Sequence, residues 1–71
     1  MPTKKVDERA VELARQMEQA AYLVRQTITN EEWLIAEGAD YGATLAQFKV
    51  WHDEARQRYM DYKASEETRN A

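Results

Sequence analysis

The fold is decided by residues 6–24, which read VDERAVELARQMEQAAYLV. Their apolar side chains recur at alternating steps of four and three residues, at Val6, Ala10, Leu13, Met17, Ala20 and Val24. This spacing is the heptad pattern that places one apolar seam along a single face of an α-helix. The next seam positions are Thr27 and Glu31, so the pattern decays there and predicts a first helix over residues 6–28. Thr3 or Asp7 is suited to cap its start.

A second seam with the same steps runs through the C-terminal half of the chain, at Tyr41, Leu45, Phe48, His52, Ala55, Tyr59 and Tyr62. It predicts a long helix over residues 44–65. Thr44-Leu45-Ala46-Gln47 matches a capping box at the start of this helix, and Asp40 is a competing cap. Residues 66–71 are expected to form a frayed tail.

The segment between the two seams carries its own start and stop signals. Thr29-Asn30-Glu31-Glu32 matches a capping box, in which Thr29 and Glu32 each bond the other's backbone N–H. Gly38 is a natural helix terminator. A short helix over residues 30–37 is therefore expected, and the alternative is one continuous helix that bends near Thr29.

These elements predict an all-α fold: a single domain over residues 1–71, built as an antiparallel helical hairpin with a short middle helix. A chain of 71 residues buries little surface, and small domains commonly gain stability from disulfides, a metal or a second subunit. With no cysteine and one histidine, only the second subunit remains. We therefore expect two hairpins to pair into a four-helix bundle, as a homodimer.

Composition and motifs exclude several functional classes. The net charge of −3 and the acids beside Lys49, Arg56 and Lys63 argue against nucleic-acid binding. The sequence contains no run of 18 apolar residues, so it predicts no membrane span, and a cytoplasmic location is expected. His52-Asp53-Glu54 could suggest catalysis, but adjacent helical residues face different directions and no second histidine is present. We expect no catalytic residue, metal or cofactor.

Large apolar residues that lie off the two seams point to a protein partner. Trp, Tyr and Met are enriched in interface cores, and two helices with one seam each leave such side chains without cover. The predicted partner-binding residues are Tyr22, Trp33, Trp51 and Met60, with Glu31, Glu32, Glu37 and Asp40 as an acidic rim. For Trp33 and Trp51 the alternative is packing inside the monomer.

The leading functional hypothesis is a small non-enzymatic adaptor, regulator or inhibitor that binds a protein partner as a homodimer. Small bacterial and bacteriophage proteins are often built in this way. The alternative is a structural or virion-assembly component, such as a chaperone or scaffold part. A nucleic-acid-binding regulator is the third candidate, and the charge distribution disfavours it.

Overall fold

The chain forms three helices in a computed structural model that describes the backbone of residues 6–70 and the side chains of residues 6–67. Helix α1 spans Glu8–Thr29, α2 spans Glu31–Ala36 and α3 spans Tyr41–Asn70, and the described residues contain no strand. The Tyr62 hydroxyl, near the end of α3, donates a hydrogen bond to Asp7 at the start of α1. The two long helices therefore run antiparallel, and the predicted all-α helical hairpin with a short middle helix is confirmed.

The seam of α1 faces α3 as predicted. Leu13 and Ala20 are buried, and three other seam positions of α1 are half-buried: Ala10, Met17 and Val24. Val6 is exposed, because it lies before the first turn of α1. Asp7 caps this helix: its Oδ1 accepts the backbone N–H groups of Arg9 at 3.1 Å and Ala10 at 3.2 Å. Thr3, the other predicted cap, lies outside the described residues.

The α1 seam does not decay at Thr27, contrary to the sequence prediction. Thr27 is buried, seven residues after Ala20, and its hydroxyl donates a 2.8 Å hydrogen bond to the Leu23 carbonyl. A threonine that bonds the carbonyl four residues earlier hides its own polar group, so it can occupy an apolar seam. The seam thus extends to the end of α1.

The seam of α3 is also confirmed. Ala55 is buried, and the other predicted positions are half-buried: Tyr41, Leu45, Phe48, His52, Tyr59 and Tyr62. The predicted helix bounds need correction at both ends. Asp40, rather than Thr44, caps α3 by accepting the Ala43 N–H at 3.0 Å, so the helix begins at Tyr41.

The C-terminal end of α3 lies beyond its predicted limit at residue 65. Residues 66–70 continue the helix instead of forming a frayed tail, and residue 71 lies outside the described residues. Lys63 and Glu66 form a 3.2 Å ion pair across this boundary. Because no glycine or proline follows Gly42, no backbone signal ends the helix earlier.

The break between α1 and α2 falls at Asn30, so the predicted interruption near Thr29 is present. The Thr29–Glu32 capping box is wrong, because Asn30 occupies the N-cap position and makes no side-chain capping bond. Its side chain instead points back toward the Gln26 side-chain oxygen, 3.4 Å away. The backbone N–H of Asn30 also donates to the Gln26 carbonyl at 2.9 Å, so hydrogen bonding continues up to the break.

Gly38 ends α2 as predicted, and its conformation explains why glycine is needed. Its φ of +82° lies in the left-handed region. The Gly38 N–H donates to the Ile35 carbonyl and the Ala39 N–H to the Leu34 carbonyl, both at 3.0 Å. This pair of bonds is the Schellman motif, which satisfies the last carbonyls of a helix and reverses the chain toward α3.

Replacing Gly38 with alanine should lower the free energy of unfolding by about 1–2 kcal/mol, the cost of a left-handed conformation for a residue with a Cβ. No atom lies within 4 Å of the added Cβ, so the loss is conformational rather than steric. Urea unfolding followed by circular dichroism measures it. The matched control is Gly42→Ala, where a helical glycine without positive φ gains a Cβ in ordinary contact, 3.7 Å from Asp40 Oδ1. This control should be neutral or stabilising by up to about 1 kcal/mol, and equal destabilisation of both variants would contradict the explanation.

Candidate functional site

The hairpin is a single layer of helices, and this shape leaves apolar side chains uncovered. The hairpin measures 55 × 25 × 12 Å, so it is long and thin, and its two long helices lie side by side. Domains usually bury their apolar faces between two layers. Among residues 6–67, the large apolar side chains that remain exposed are Val6, Val11, Tyr22, Ile28, Trp33, Ile35, Val50, Trp51 and Met60.

An open groove of about 580 Å³ runs along one side of the contact between α1 and α3. Tyr22 and Leu23 of α1 and Trp51 of α3 line it, together with the buried Ala20 and Ala55. The small alanine side chains leave the space that the large side chains border. Of the predicted partner-binding residues, the structure thus brings Tyr22 and Trp51 together.

The indole of Trp51 is held in place by its neighbour on the same helix. The ring centroids of Phe48 and Trp51 lie 5.4 Å apart at an interplanar angle of 58°. Tilted aromatic pairs at this distance are attractive beyond their buried area. Phe48 is half-buried in the seam, so the ring that borders the groove is anchored to the core of the hairpin.

The groove also carries polar side chains of both charge signs. Gln16 and Gln19 border it from α1, and Glu54 and Arg58 border it from α3. Among residues 6–67, neither Glu54 nor Arg58 has an ion-pair partner within 4.0 Å. Both side chains are exposed and free to meet a partner.

Met60 and Trp33 lie away from this groove. Met60 follows Trp51 by nine residues, which is about two and a half helical turns, so it projects from the opposite side of α3. Trp33 lies on α2, at the end of the hairpin where the chain turns. The predicted set therefore divides into a groove pair, a residue at the turn and a residue on the far side of α3.

The turn end of the hairpin, residues 31–40, combines exposed apolar groups with acids. No residue of α2 is buried: Leu34 is half-buried, while Trp33 and Ile35 are 62% and 56% exposed. The predicted acidic rim lies here, and all four of its residues are exposed: Glu31, Glu32, Glu37 and Asp40. Glu31 and Glu32 lie in the first turn of α2, where a negative charge also suits the helix dipole.

The chain matches no family model, and it has no significant match among curated proteins or solved structures.

The opposite end of the hairpin holds a polar cluster that the sequence did not indicate. The Tyr62 hydroxyl lies 2.8 Å and 3.0 Å from the two Asp7 carboxylate oxygens. This hydrogen bond, with smaller contributions from Glu66 and the backbone N–H groups of the cap, lowers the pKa of Asp7 from 3.8 to about 2. Glu66 in turn raises the pKa of Lys63. The cluster fastens the start of α1 to the C-terminal part of α3.

The remaining candidates for catalysis or metal binding lie in the α3 seam or on the exposed surface. His52 is half-buried in the α3 seam, while its neighbours Asp53 and Glu54 are exposed. Across the described residues, no three His, Cys, Asp or Glu side chains come together in a group that could hold a metal ion. Within residues 6–70, no helix has the length and apolar character needed to cross a bilayer.

Replacing Tyr62 with phenylalanine should raise the pKa of Asp7 from about 2 toward 3.8, because the hydroxyl is the largest cause of the shift. The pKa of Asp7 in the folded state lies below its unfolded value. Ionised Asp7 therefore stabilises the fold above about pH 4, and this contribution is lost as the pH falls toward 2. The variant should be less stable than the wild type at pH 7, and the difference should shrink near pH 2.

Carboxyl ¹³C NMR titration of Asp7 and thermal melts at pH 7, 4 and 2 measure these effects. The control is Tyr59→Phe, which removes a hydroxyl from the same seam one turn earlier. An Asp7 titration midpoint unchanged by Tyr62→Phe, or shifted as far by Tyr59→Phe, would refute the assignment.

Proposed function

We propose that the protein is a small non-enzymatic adaptor, regulator or inhibitor that acts as a homodimer and binds a protein partner through the turn end of the hairpin. The observation that supports this most is Trp33. It is 62% exposed on a six-residue helix that buries none of its residues. A tryptophan in that position contributes little to the hairpin itself.

The energy available from Trp33 is large enough to matter for binding. A tryptophan side chain buries about 200 Å² when fully covered, so covering the exposed part gives about 3 kcal/mol at roughly 25 cal/mol per Å². Interface residues of this strength are commonly tryptophans near the centre of the contact. Ile35, exposed on the same short helix, adds apolar area beside it.

The charge around Trp33 indicates a partner with a basic surface. Four acids and no Lys or Arg lie between Gln26 and Phe48. Opposite charge on the partner would speed encounter and favour the correct partner, and added salt would weaken this effect. The same acids repel the phosphates of nucleic acids, which supports a protein as the partner.

A structural or virion-assembly component would use the same exposed groups and differ in stoichiometry. A single layer of helices with an exposed groove and an exposed turn end is compatible with both roles. A discrete dimer that binds its partner in a fixed ratio supports an adaptor, regulator or inhibitor. An open polymer supports assembly.

Trp33→Ala should weaken partner binding by about 30- to 150-fold, the equivalent of about 2–3 kcal/mol. Affinity capture from the native host with quantitative mass spectrometry identifies the partner, and calorimetry with the purified partner gives the dissociation constant. The control is Val50→Ala, which truncates an apolar side chain that is 50% exposed on α3. It should bind within about threefold of the wild type.

The charge contribution is tested by Glu31→Gln/Glu32→Gln at two salt concentrations. This double variant should bind more weakly at low salt and lose less affinity than the wild type when salt is added.

Capture of the same proteins at equal yield by the wild type and Trp33→Ala would rule out the turn end as the docking surface.

A further inference from the structure

The hairpin exposes more surface than a compact monomer of its mass. Its radius of gyration is 16.8 Å, against about 11 Å for a compact domain of this length. Its accessible surface is 5841 Å², whereas a compact monomer of 8.3 kDa exposes roughly 4,600 Å². The difference of roughly 1,200 Å² exceeds the ~800 Å² per partner of a standard stable interface. One further layer of equal size would account for the excess.

The charge of each exposed surface decides whether it can face the same surface of a second copy. The turn end carries Glu31, Glu32, Glu37 and Asp40, so two such ends would repel each other. Lys49 and Arg56 lie seven residues apart on one side of α3 and would likewise meet the same positive charges of a second copy. Lys63, the next residue in this series, is already paired with Glu66.

The groove between α1 and α3 does not have this defect. It carries one acid, Glu54, and one base, Arg58, so its net charge is zero. It also holds Tyr22 and Trp51, which are 53% and 46% exposed. A face with both signs of charge around an aromatic centre is compatible with a copy of itself, as a two-fold interface requires.

The surplus surface favours a second layer, and the balance of charge selects the groove as the face that meets it. We infer that a second copy of this chain, related by a two-fold axis, covers the groove, so that two hairpins form a four-helix bundle. The inference specifies the face of the homodimer included in the proposed function and rests on that proposal. Tyr22, Leu23 and Trp51 of both copies form the new core between the layers. Glu54 and Arg58 lie at its edge, where each copy supplies both signs of charge to the other.

The anchor of this interface already contacts the seam of its own hairpin before association. The tilted stacking of Trp51 on Phe48 fixes the indole against the seam of its own hairpin. An anchor that is already positioned loses less conformational entropy on binding, which strengthens association without further contacts. Trp51 is therefore the side chain whose removal should affect the dimer most.

The first test compares two adjacent apolar residues with almost equal exposure. Trp51 lies about 40° around α3 from the buried Ala55 and borders the groove, whereas Val50 lies about 140° around and points away. Sedimentation equilibrium should give the wild type twice the 8.3 kDa chain mass. Trp51→Ala should raise the dimer dissociation constant by at least about 100-fold, because each dimer loses two anchors, while Val50→Ala should change it by less than about threefold.

The second test uses exposed charges, whose replacement does not disturb the hairpin core. Glu54→Arg and Arg58→Glu each give the groove two like charges, so each variant alone should be monomeric with unchanged helical circular dichroism. An equimolar mixture of the two should form a heterodimer, because the opposite faces attract. The control is Lys49→Glu, an exposed reversal outside the groove, which should remain a dimer.

The outcomes separate this inference from the proposed function. A wild type that stays monomeric at millimolar concentration overturns the homodimer, and the Trp33 capture result still decides whether the chain binds a protein partner. A wild-type dimer that survives both Trp51→Ala and the charge reversals overturns the groove as the interface and leaves the homodimer standing. Growth into an open polymer overturns the two-fold arrangement.

Discussion

Two antiparallel helices can bury only the stripe along which they touch, and this constraint governs the rest of the molecule. Leu13, Ala20 and Ala55 lie on that stripe and are nearly inaccessible, while most other positions retain contact with solvent. Stability must therefore come from one narrow seam, which is a small core for a folded chain. Every large apolar side chain that lies off the seam remains exposed unless another surface covers it.

Interactions at the two ends of the hairpin constrain how α1 and α3 align. At one end, Tyr62 bonds the same Asp7 carboxylate that caps α1, so a single side chain both starts a helix and binds its neighbour. At the other end, Gly38 reverses the chain and Asp40 starts α3 two residues later. The seam of small and large apolar residues would permit sliding by a heptad, and these end contacts oppose it.

The sequence was sufficient to predict both seams, because heptad spacing is a property of one helix at a time. It misjudged Thr27, whose hydroxyl is hidden by a bond to Leu23 that no spacing rule reveals. It could not choose between Asp40 and Thr44, because both residues carry a valid local capping signal. The pairing of Tyr22 with Trp51 depends on the register between two helices, and a single-helix pattern contains no information about register. The separation of Trp33 from the groove needed the structure, whereas the spacing of nine residues between Trp51 and Met60 already places these two side chains on opposite sides of one helix.

The placement of the two tryptophans has a spectroscopic consequence. Trp33 lies at the turn end beside acidic side chains, and Trp51 borders the groove against Phe48. Each of the two surfaces thus contains one indole, which absorbs at longer wavelengths than tyrosine and can be excited selectively, and the chain has no other tryptophan. Replacing either indole leaves an emission spectrum that reports the polarity of the other surface alone. The protein can therefore be followed optically, one surface at a time, without an added label.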